Sequence, residues 1–536
     1  MKYVDDLYSN NNSTANTIKH WYNFKIGICL KGIAVGILAG ILVVAFRFFL
    51  EKALSFSNYM YILIKKNIFL LPLWLLALAA MAVVVGFIIE KVPMSKGSGI
   101  PQVEGLLLRQ LDMSWWRVII AKFVGGILCL GAGLSVGREG PSIQLGAAAG
   151  QGFAKIFKLP KMEEKYLITG GASAGLAAAF NAPLSGVIFS MEEVHKNFSP
   201  LVFLTAASAA MTADMVSKEF FGMKPVFNFT VMTALPISSY LYLVLLGLIL
   251  GVTGALFNTS VFKTQKLYSK IKWIPQRYKT LIPFFTACVM GLNFPQVMGG
   301  GHELVVDLVK NHYLLSALLI LLIVKFIFTM ISFCSGVPGG IFLPLLAIGA
   351  LLGNVFSSFL VTYINFDPQY VNNFIVLAMA GYFAAVVRAP ITGIVLITEM
   401  TGSFTHMLSL TVVCLIAYIT ADLLKSKPIY EHLLENMLTR KDSNSFNGNE
   451  DVKVILEVAV VMGAALDGKK IMDINWPKKC LLVSVRRGST DIIPNGNTVL
   501  RPGDYINALT DEKNAPEIKK ELIKLGTSEN YSVVKK

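Results

Sequence analysis

The five residues Gly137-Arg138-Glu139-Gly140-Pro141 decide how the rest of the chain is interpreted. They place a guanidinium beside a carboxylate at the start of the apolar, small-residue run 142–152. Ionisable side chains in membrane-like sequence are costly and mark pathways for ions or protons. The glycines let backbone amides approach a ligand, and the run after Pro141 predicts a helix whose positive end faces that ligand. The stretch therefore predicts an anion site that Glu139 occupies when ionised and leaves when protonated. A capped turn at a helix start is the alternative.

The composition of the whole chain places it in a membrane. Of 536 residues, 54% are hydrophobic and 15% are charged, and the mean hydropathy of +0.60 excludes an ordinary soluble globule. Residues 1–25 are polar and lack the short apolar core of a cleaved signal peptide, so we expect a cytoplasmic tail there. The six cysteines are scattered without metal-ligand or disulfide spacing, as suits a reducing compartment, and neither a metal nor a cofactor is predicted.

The net charge of +15 has two explanations, a nucleic-acid partner or the cationic bias of cytoplasmic loops in membrane proteins. The basic residues fall in loops and tails, and residues 263–279 contain six of them without a single acid. This distribution favours the membrane explanation over nucleic acid. It places the 263–279 loop in the cytoplasm, and we expect both chain termini there as well.

The apolar segments change character along the chain. After two long runs, 26–49 and 68–89, they become short and are interrupted by glycine, proline and charge. A complete span needs about 20 apolar residues, so the short segments predict tilted, re-entrant or broken helices. Backbone ends at membrane depth are tolerated only inside protein or beside a wet cavity. The pattern is typical of a transporter rather than a receptor or an anchor.

The two halves of this apolar region repeat one another. A glycine–proline pattern recurs after 203 residues, Gly137-x3-Pro141-x4-Gly146-x3-Gly150 as Gly340-x3-Pro344-x4-Gly349-x3-Gly353. A second pattern recurs after 207 residues, Ala182-Pro183-x2-Gly186-x5-Glu192 as Ala389-Pro390-x2-Gly393-x5-Glu399. Single small-residue motifs are common at helix contacts, but several in order predict an internal repeat. Such repeats place a binding site near the bilayer midplane where helix N-termini meet, and Gly97, Gly137 and Gly340 mark the candidates.

Three motifs together resemble the signature of the CLC chloride channels and transporters over residues 25–435. They are Gly97-Ser98-Gly99-Ile100-Pro101, Gly137-Arg138-Glu139-Gly140-Pro141 and Gly340-Ile341-Phe342-Leu343-Pro344. The resemblance implies an all-α polytopic membrane protein with two inverted halves and many tilted or broken helices. It also implies a homodimer in the lipid bilayer with one anion pathway per subunit. The implied function is chloride/proton antiport across the bacterial plasma membrane, with a passive chloride channel of the same fold as the alternative.

The resemblance assigns a role to individual residues. The implied chloride ligands are uncharged donors, which bind an anion without trapping it: the Ser98 and Tyr430 hydroxyls and the Ile341 and Phe342 amides. Ser98 favours chloride, because nitrate-preferring members tend to carry proline there and fluoride exporters depart from this motif.

Two glutamates are expected to move the proton. Glu139 resembles the external gating and proton glutamate of the family. Glu193 falls on the internal proton-transfer position, although paired acids at a helix end could also be only solvated. Lys122 and Glu104 fit family positions as buried structural charges, and we expect neither of them to be in the pathway.

A Gly-x-Ser-x-Gly motif, Gly171-Ala172-Ser173-Ala174-Gly175, raises a hydrolase alternative. That motif needs a strand–turn–helix setting and a histidine partner. Here it lies in an Ala/Gly-rich apolar segment, and none of the six histidines is placed as a candidate base. We therefore predict that the chain is not an enzyme.

The chain beyond residue 438 is a separate region. Residues 439–451 form a polar linker; 452–461 and 480–485 then predict strands, and 515–525 predicts a helix. The segments 482–488, 493–496 and 502–504 resemble the C-terminal regulatory domain (RCK type) of bacterial potassium-uptake regulators. We divide the chain into a tail (1–25), a membrane domain (26–438), the linker (439–451) and a small cytosolic α+β domain (452–536).

Domains of this resemblance commonly dimerise, and some bind cyclic di-AMP. The candidate ligand residues are two guanidiniums for phosphate, two apolar side chains for bases and a polar turn: Arg486, Arg487, Ile492, Ile493 and Asn495. A cyclic dinucleotide at the two-fold seam between two copies is the resulting hypothesis. A domain that only reinforces the dimer is the alternative. A ligand receptor with vestigial transport is disfavoured, because the expected chloride and proton residues are all present.

Overall fold

A computed structural model of the chain describes residues 2–227, 229, 233–271, 273–311, 313–440, 453–488, 490–511 and 514–527. It divides into two compact units, Met1–Glu104 with Met113–Glu435, and Gly105–Asp112 with Asn436–Lys536. The predicted linker 439–451 lies, apart from its first two residues, outside the described residues.

The membrane region is helical. In chain order its α-helices are α1 (Lys2–Lys66), α2 (Leu71–Lys91), α3 (Ile100–Leu107), α4 (Trp115–Gly131), α5 (Glu139–Ile156), α6 (Lys161–Phe180), α7 (Pro183–Phe189), α8 (Pro200–Phe221), α9 (Tyr240–Lys270), α10 (Leu281–Asn293), α11 (His302–Lys310), α12 (Leu315–Cys334), α13 (Phe342–Ile364), α14 (Val371–Val387), α15 (Pro390–Thr401), α16 (Met407–Leu423) and α17 (Ile429–Arg440). A π-helical turn, Ser190–Val194, continues α7. Short 3-10 turns are Ile68–Leu70, Pro93–Ser95, Ile237–Ser239, Gln276–Tyr278, Pro295–Val297 and Pro368–Tyr370.

Helix lengths confirm the expected mixture of complete and broken spans. Within the described residues, seven helices are long and apolar enough to cross a membrane. Others are apolar but short, such as α15 with 12 residues and α7 with seven. Helix ends therefore fall among buried residues, as at Glu139 and Phe342.

Two helix starts differ from the sequence prediction. Residues 2–25 of the predicted tail and the run 26–49 belong to one continuous helix, α1. Residues 2–26 contain neither glycine nor proline, and polar residues end an apolar run without ending a helix. Helix α5 begins at Glu139 and not after Pro141. Proline is accepted in a first helical turn because its missing N–H would have no partner there.

Backbone hydrogen bonds join the two repeats. Gly137 and Gly340 pair with one another, N to O, at 2.6 and 2.8 Å. The Gly97 amide donates to Gly336, and the Gly339 amide donates back to Gly97, at 3.2 and 3.1 Å. The motifs found by their spacing of 203 residues are therefore direct neighbours in the fold.

Glycines set the close approach of helices within each repeat. A Cβ on Gly146 or on Gly175 of the first repeat would collide with the backbone of the facing helix, α6 or α5 respectively. A Cβ on Gly353 would collide in the same way with the Phe374 carbonyl of α14. The Gly-x-Ser-x-Gly motif lies inside α6, so its glycines are helix-packing residues and the strand–turn–helix setting of a hydrolase is absent there.

Two fully buried lysines occupy equivalent positions in the repeats. Lys122 Nζ donates to the carbonyls of Ser95 and Gly97 at 3.0 and 2.6 Å. Lys325, 203 residues later, donates to the Val297 and Gly299 carbonyls at 2.9 and 2.8 Å. Each ammonium thus stabilises one glycine-rich loop through two hydrogen bonds. The geometry agrees with the expectation that Lys122 is a structural buried charge.

The C-terminal domain is a four-stranded antiparallel sheet with one helix. Its elements are β1 (Lys453–Ala459), a 3-10 turn (Ile471–Asp473), β2 (Leu481–Arg487), β3 (Thr490–Ile492), β4 (Asp504–Asp511) and α18 (Ala515–Thr527). The strand order is β1-β4-β2-β3, and α18 packs in the same core as the buried face of the sheet. The sequence predicted β1, β2 and α18. It missed the short strand β3, and it missed β4, whose buried positions alternate but include Asp504 and Thr510 beside apolar residues.

Candidate anion and proton site

The three glycine motifs meet around one buried position. A Cβ on Gly140 would touch the Ser98 hydroxyl and lie 2.7 Å from the Ser98 carbonyl oxygen. A Cβ on Gly340 would lie 3.1 Å from the Gly140 amide nitrogen. Gly140 therefore lies between Ser98 and Gly340, although the three residues are far apart in sequence.

Glu139 is the first residue of α5 and is completely buried. A Cβ on Gly137 would collide with the Glu139 carboxylate and would lie 3.1 Å from the Leu343 amide nitrogen. The carboxylate of the first repeat therefore lies at the N-terminus of α13, the helix that opens the second repeat's motif. A helix N-terminus attracts anions through its exposed amides and its dipole.

An aromatic cluster fixes the start of α13. Phe342 is its first residue and Ile341 precedes it as the N-cap, and both are buried. The Phe342 ring lies 5.4 Å from Phe180, 6.0 Å from Phe189 and 4.6 Å from Phe383, centroid to centroid. These contacts hold the amide end of α13 in a dry, preorganised setting.

Two buried hydroxyls flank this helix end. The Ser98 Oγ and the Tyr430 Oη are near enough to interact with one another, but neither makes a hydrogen bond of acceptable geometry among the described residues. Buried hydroxyls without partners are costly, so the pair is suited to a ligand that accepts hydrogen bonds. Tyr430 also interacts electrostatically with both Glu139 and Glu193. Tyr430 therefore lies near Ser98 and within electrostatic range of both predicted proton residues.

Glu193 lies in the π-helical turn that ends α7, and it is buried. The wider turn is held by the His195 amide, which donates to the Ser190 carbonyl at 2.8 Å. His195 Nδ1 also lies 2.8 Å from the Thr169 hydroxyl of α6. Single π turns inside helices are frequent at functional sites.

The neighbouring acid, Glu192, has a different task. Its carboxylate accepts hydrogen bonds from the Ile391 amide (3.2 Å) and from the amide and hydroxyl of Thr392 (2.8 and 2.6 Å), at the start of α15. Glu399, near the end of α15, accepts from the Leu184 amide (3.1 Å) and from the amide and hydroxyl of Ser185 (2.7 and 2.5 Å), at the start of α7. Each helix therefore caps the other. Sequence reasoning paired these glutamates through the repeat but assigned neither a role.

A charged cavity of about 490 Å³ is lined in part by Arg138, the residue before Glu139, and by Arg47, Glu51 and Lys224. Arg138 Nη1 donates to Glu51 Oε1 at 3.0 Å. Arg47 is buried within α1 and donates to the Ala178 carbonyl at 2.6 Å. The sequence placed Arg138 in the site but missed Arg47, because a single arginine in a long apolar run gives no local signal.

The candidate ligand residues of the C-terminal domain are largely engaged within the domain. Arg487 binds Asp504 through two hydrogen bonds of 2.8 and 2.7 Å and also donates to the Val499 carbonyl. Arg486 forms an ion pair with Glu457. The expectation that both guanidiniums are available to phosphate is therefore wrong for Arg487, whose planar fork is occupied by a buried carboxylate.

The Asp504 carboxylate depends on that pair. Burial by itself raises the pKa of Asp504, but hydrogen bonds from the Arg487 guanidinium and the Arg501 amide outweigh it and hold the pKa below its ordinary value. Arg487 is thus a structural residue of the sheet.

The other three candidates are divided between core and surface. Ile492 packs against the domain core, whereas Ile493 is 88% exposed. Asn495 Oδ1 accepts hydrogen bonds from the Asn497 amide and the Thr498 hydroxyl, which closes the turn. Arg486, Ile493 and Asn495 remain the surface part of the predicted set.

Broken helices, an internal repeat and a buried glutamate at a helix N-terminus define a multi-pass membrane transport protein. The family model described as voltage gated chloride channel matches residues 80–422, and the chain belongs to this CLC family. A second model, the TrkA-C domain, matches residues 455–523. Both resemblances inferred from sequence motifs are confirmed.

Curated relatives agree with this assignment. The H(+)/Cl(-) exchange transporter ClcA of Salmonella arizonae is 36% identical over 445 residues, which cover 79% of this chain and 92% of that protein. The protein of the same name from Yersinia pestis is 34% identical over 430 residues, covering 77% and 88%. These relatives are transporters, and the chain is not an enzyme.

Solved structures show the same fold. A slow cyanobacterial Cl-/H+ antiporter matches with a TM-score of 0.72 at 30% identity, over 77% of this chain and 98% of that one. A CLC-type fluoride/proton antiporter matches with a TM-score of 0.62 at 25% identity, over 76% and 97%.

Proposed function

We propose that the chain is a chloride/proton antiporter. The observation that carries the proposal is the Glu139 carboxylate at the N-terminus of α13, beside the Ser98 and Tyr430 hydroxyls. One buried site thus combines an exchangeable proton with donors for an anion. The relatives named as H+/Cl- exchangers support the same conclusion.

The coupling follows from competition for one position. An ionised Glu139 takes the place of an anion at the helix end, and protonation removes the charge that holds it there. Chloride then binds between the two hydroxyls and the amides of Ile341 and Phe342. Because these donors carry only partial charges, they stabilise chloride without preventing its release. Arg138 and Arg47, which line the charged cavity, attract the anion electrostatically.

The proton leaves by a different route from chloride. Glu193 is buried at the end of α7, and Tyr430 lies within electrostatic reach of both glutamates. We assign Glu193 the internal proton transfer and Glu139 the external transfer. Chloride passes the Tyr430 hydroxyl, whereas the proton moves between the two carboxylates.

Family membership supports a proposal for assembly and location. We propose a homodimer in the bacterial plasma membrane, with one pathway per subunit and both termini in the cytoplasm. The basic stretch 263–279 supports this orientation. We also retain the division into tail, membrane domain 26–438, linker and regulatory domain 452–536.

We propose that the C-terminal domain regulates transport by binding a cyclic dinucleotide, most simply cyclic di-AMP, at a two-fold seam. The match to the TrkA-C domain supports a regulatory role. The binding surface is reduced to Arg486, Ile493 and Asn495, since Arg487 and Ile492 are engaged internally. Calorimetry on the full-length protein tests this: Arg486→Ala should weaken binding, and no heat at micromolar nucleotide excludes the ligand.

Reconstitution into liposomes tests the main proposal. An imposed chloride gradient should drive protons uphill, and the proton movement should stop when the chloride gradient is removed. Chloride flux without uphill proton movement would identify a passive channel instead.

A further inference from the structure

The backbone that follows Glu193 is held in a rare conformation. Lys196 has φ +55°, in the left-handed region that residues other than glycine and asparagine seldom adopt. The Asn197 amide donates to the Met191 carbonyl at 3.1 Å, which closes the turn over Glu193. A residue in this region costs free energy and persists only where the surrounding structure fixes it.

The Lys196 ammonium is aimed at two carboxylates. It lies 2.6 Å from Glu104 Oε1 of α3 and 3.9 Å from Glu431 Oε1 of α17. The Glu104 side chain is 3% exposed, whereas Lys196 is 37% exposed. The Lys196 side chain therefore reaches from a buried acid to the protein surface. Lys196 lies three residues after Glu193, the proposed proton residue.

The charges that act on Glu193 are mostly negative. Glu104, Glu431 and Glu192 contribute carboxylates, and Lys196 is the cation that faces it within the described part of the chain. His195 is hydrogen bonded to Thr169, and Tyr430 is the remaining titratable neighbour. Like charges disfavour an ionised carboxylate, and an adjacent ammonium offsets them. Burial of Glu193 already disfavours its ionised form, and without Lys196 the three carboxylates would add to that effect.

We propose that Lys196 is a positioning residue for proton transfer: its ammonium pairs with Glu104 and balances the surrounding acids, so that Glu193 releases its proton. The proposal rests on the proposed role of Glu193. Lys196 touches neither the anion nor the reacting proton and acts only through the charge beside Glu193.

Liposome fluxes of Lys196→Met and its matched controls test the proposal. Proton flux should fall at least about fivefold relative to chloride flux, as expected for removing one charge at close range in a partly screened site. The pH of half-maximal proton flux should move upward. Lys196→Arg should restore both. Lys31→Met, which removes a similarly exposed lysine paired with Glu163, should change neither quantity.

A second variant keeps the test decisive even if Lys196→Met does not fold. Glu431→Gln removes one of the repelling carboxylates, so its pH of half-maximal proton flux should move downward, opposite to Lys196→Met. A flux ratio and pH profile of Lys196→Met equal to those of Lys31→Met would overturn the proposal, as would an upward shift in Glu431→Gln. Retention of coupling in Glu193→Met would instead overturn the role of Glu193 itself.

Discussion

At the position where the first repeat carries Glu139, the second carries Phe342, 203 residues later. Both residues begin a buried helix, α5 and α13. Glu139 brings a carboxylate that can bind and release a proton. Phe342 brings only its backbone amide and an aromatic ring. The two repeats therefore form one site from unlike halves, with the movable charge in one and the fixed helix end in the other.

The other ends of the repeats differ in the same way. Glu193 follows Glu192 at the end of α7, whereas the equivalent residue after Glu399 is Met400. In contrast, the paired glycines, the buried lysines and the reciprocal caps Glu192 and Glu399 occur in both halves. The shared positions hold the fold together, whereas Glu139 and Glu193, the residues proposed to carry the proton, stand at positions where the repeats differ.

The largest effect is expected at Glu139. Glutamine keeps the shape of the protonated side chain but cannot cycle its proton. Glu139→Gln should therefore reduce chloride-driven proton movement by about 100-fold or more, while chloride still moves. Proton and chloride electrodes on the same liposome suspension measure both fluxes. Proton pumping at the wild-type rate would mean that the repeats do not differ in function at this position.

A smaller effect is expected at Tyr430, which lies on α17 beyond the second repeat and is a proposed chloride ligand. Tyr430→Ala removes one donor to a charged ligand, which corresponds to about tenfold weaker chloride binding. Equilibrium calorimetry with chloride measures it, and Tyr430→Phe isolates the hydroxyl from the ring. Unchanged affinity in both variants would remove Tyr430 from the site.

Glu192 and Glu399 should respond equally to substitution, because each repeat has one of these reciprocal caps. Glu192→Gln and Glu399→Gln each weaken two hydrogen bonds to helix amides and lose the favourable dipole interaction. Each should cost about 1–2 kcal/mol of stability. Thermal unfolding in detergent compares the two variants directly. A large cost in one variant and none in the other would show that the caps are not equivalent.

The smallest effect is expected at Ser173. Its neighbours Gly171 and Gly175 pack α6 against α5, and Ser173 itself is a buried residue of α6. Ser173→Ala should leave both fluxes within about twofold of wild type, because it removes one oxygen atom and leaves the two packing glycines in place. Complete loss of function would restore a catalytic interpretation of this motif.

The sequence predicted most of the membrane fold because spacing is a long-range signal. Glycine and proline positions repeated over two hundred residues revealed the repeat and all three loops of the anion site. It did not reveal what Glu192 and Glu399 bind, since a cap across helices leaves no local pattern. The partner of Arg487 was missed for a related reason: Asp504 occupies a buried strand position where an apolar residue is expected.

The most direct test of the account is the ratio of proton to chloride flux in Glu193→Met, which gives the first repeat the residue of the second. Measured in liposomes under a chloride gradient, this variant should move chloride with proton flux reduced to background. Expression and thermal stability should stay near wild type, because Glu192 still caps α15. Uphill proton movement at the wild-type ratio would contradict the claim that proton transport depends on the positions where the repeats differ.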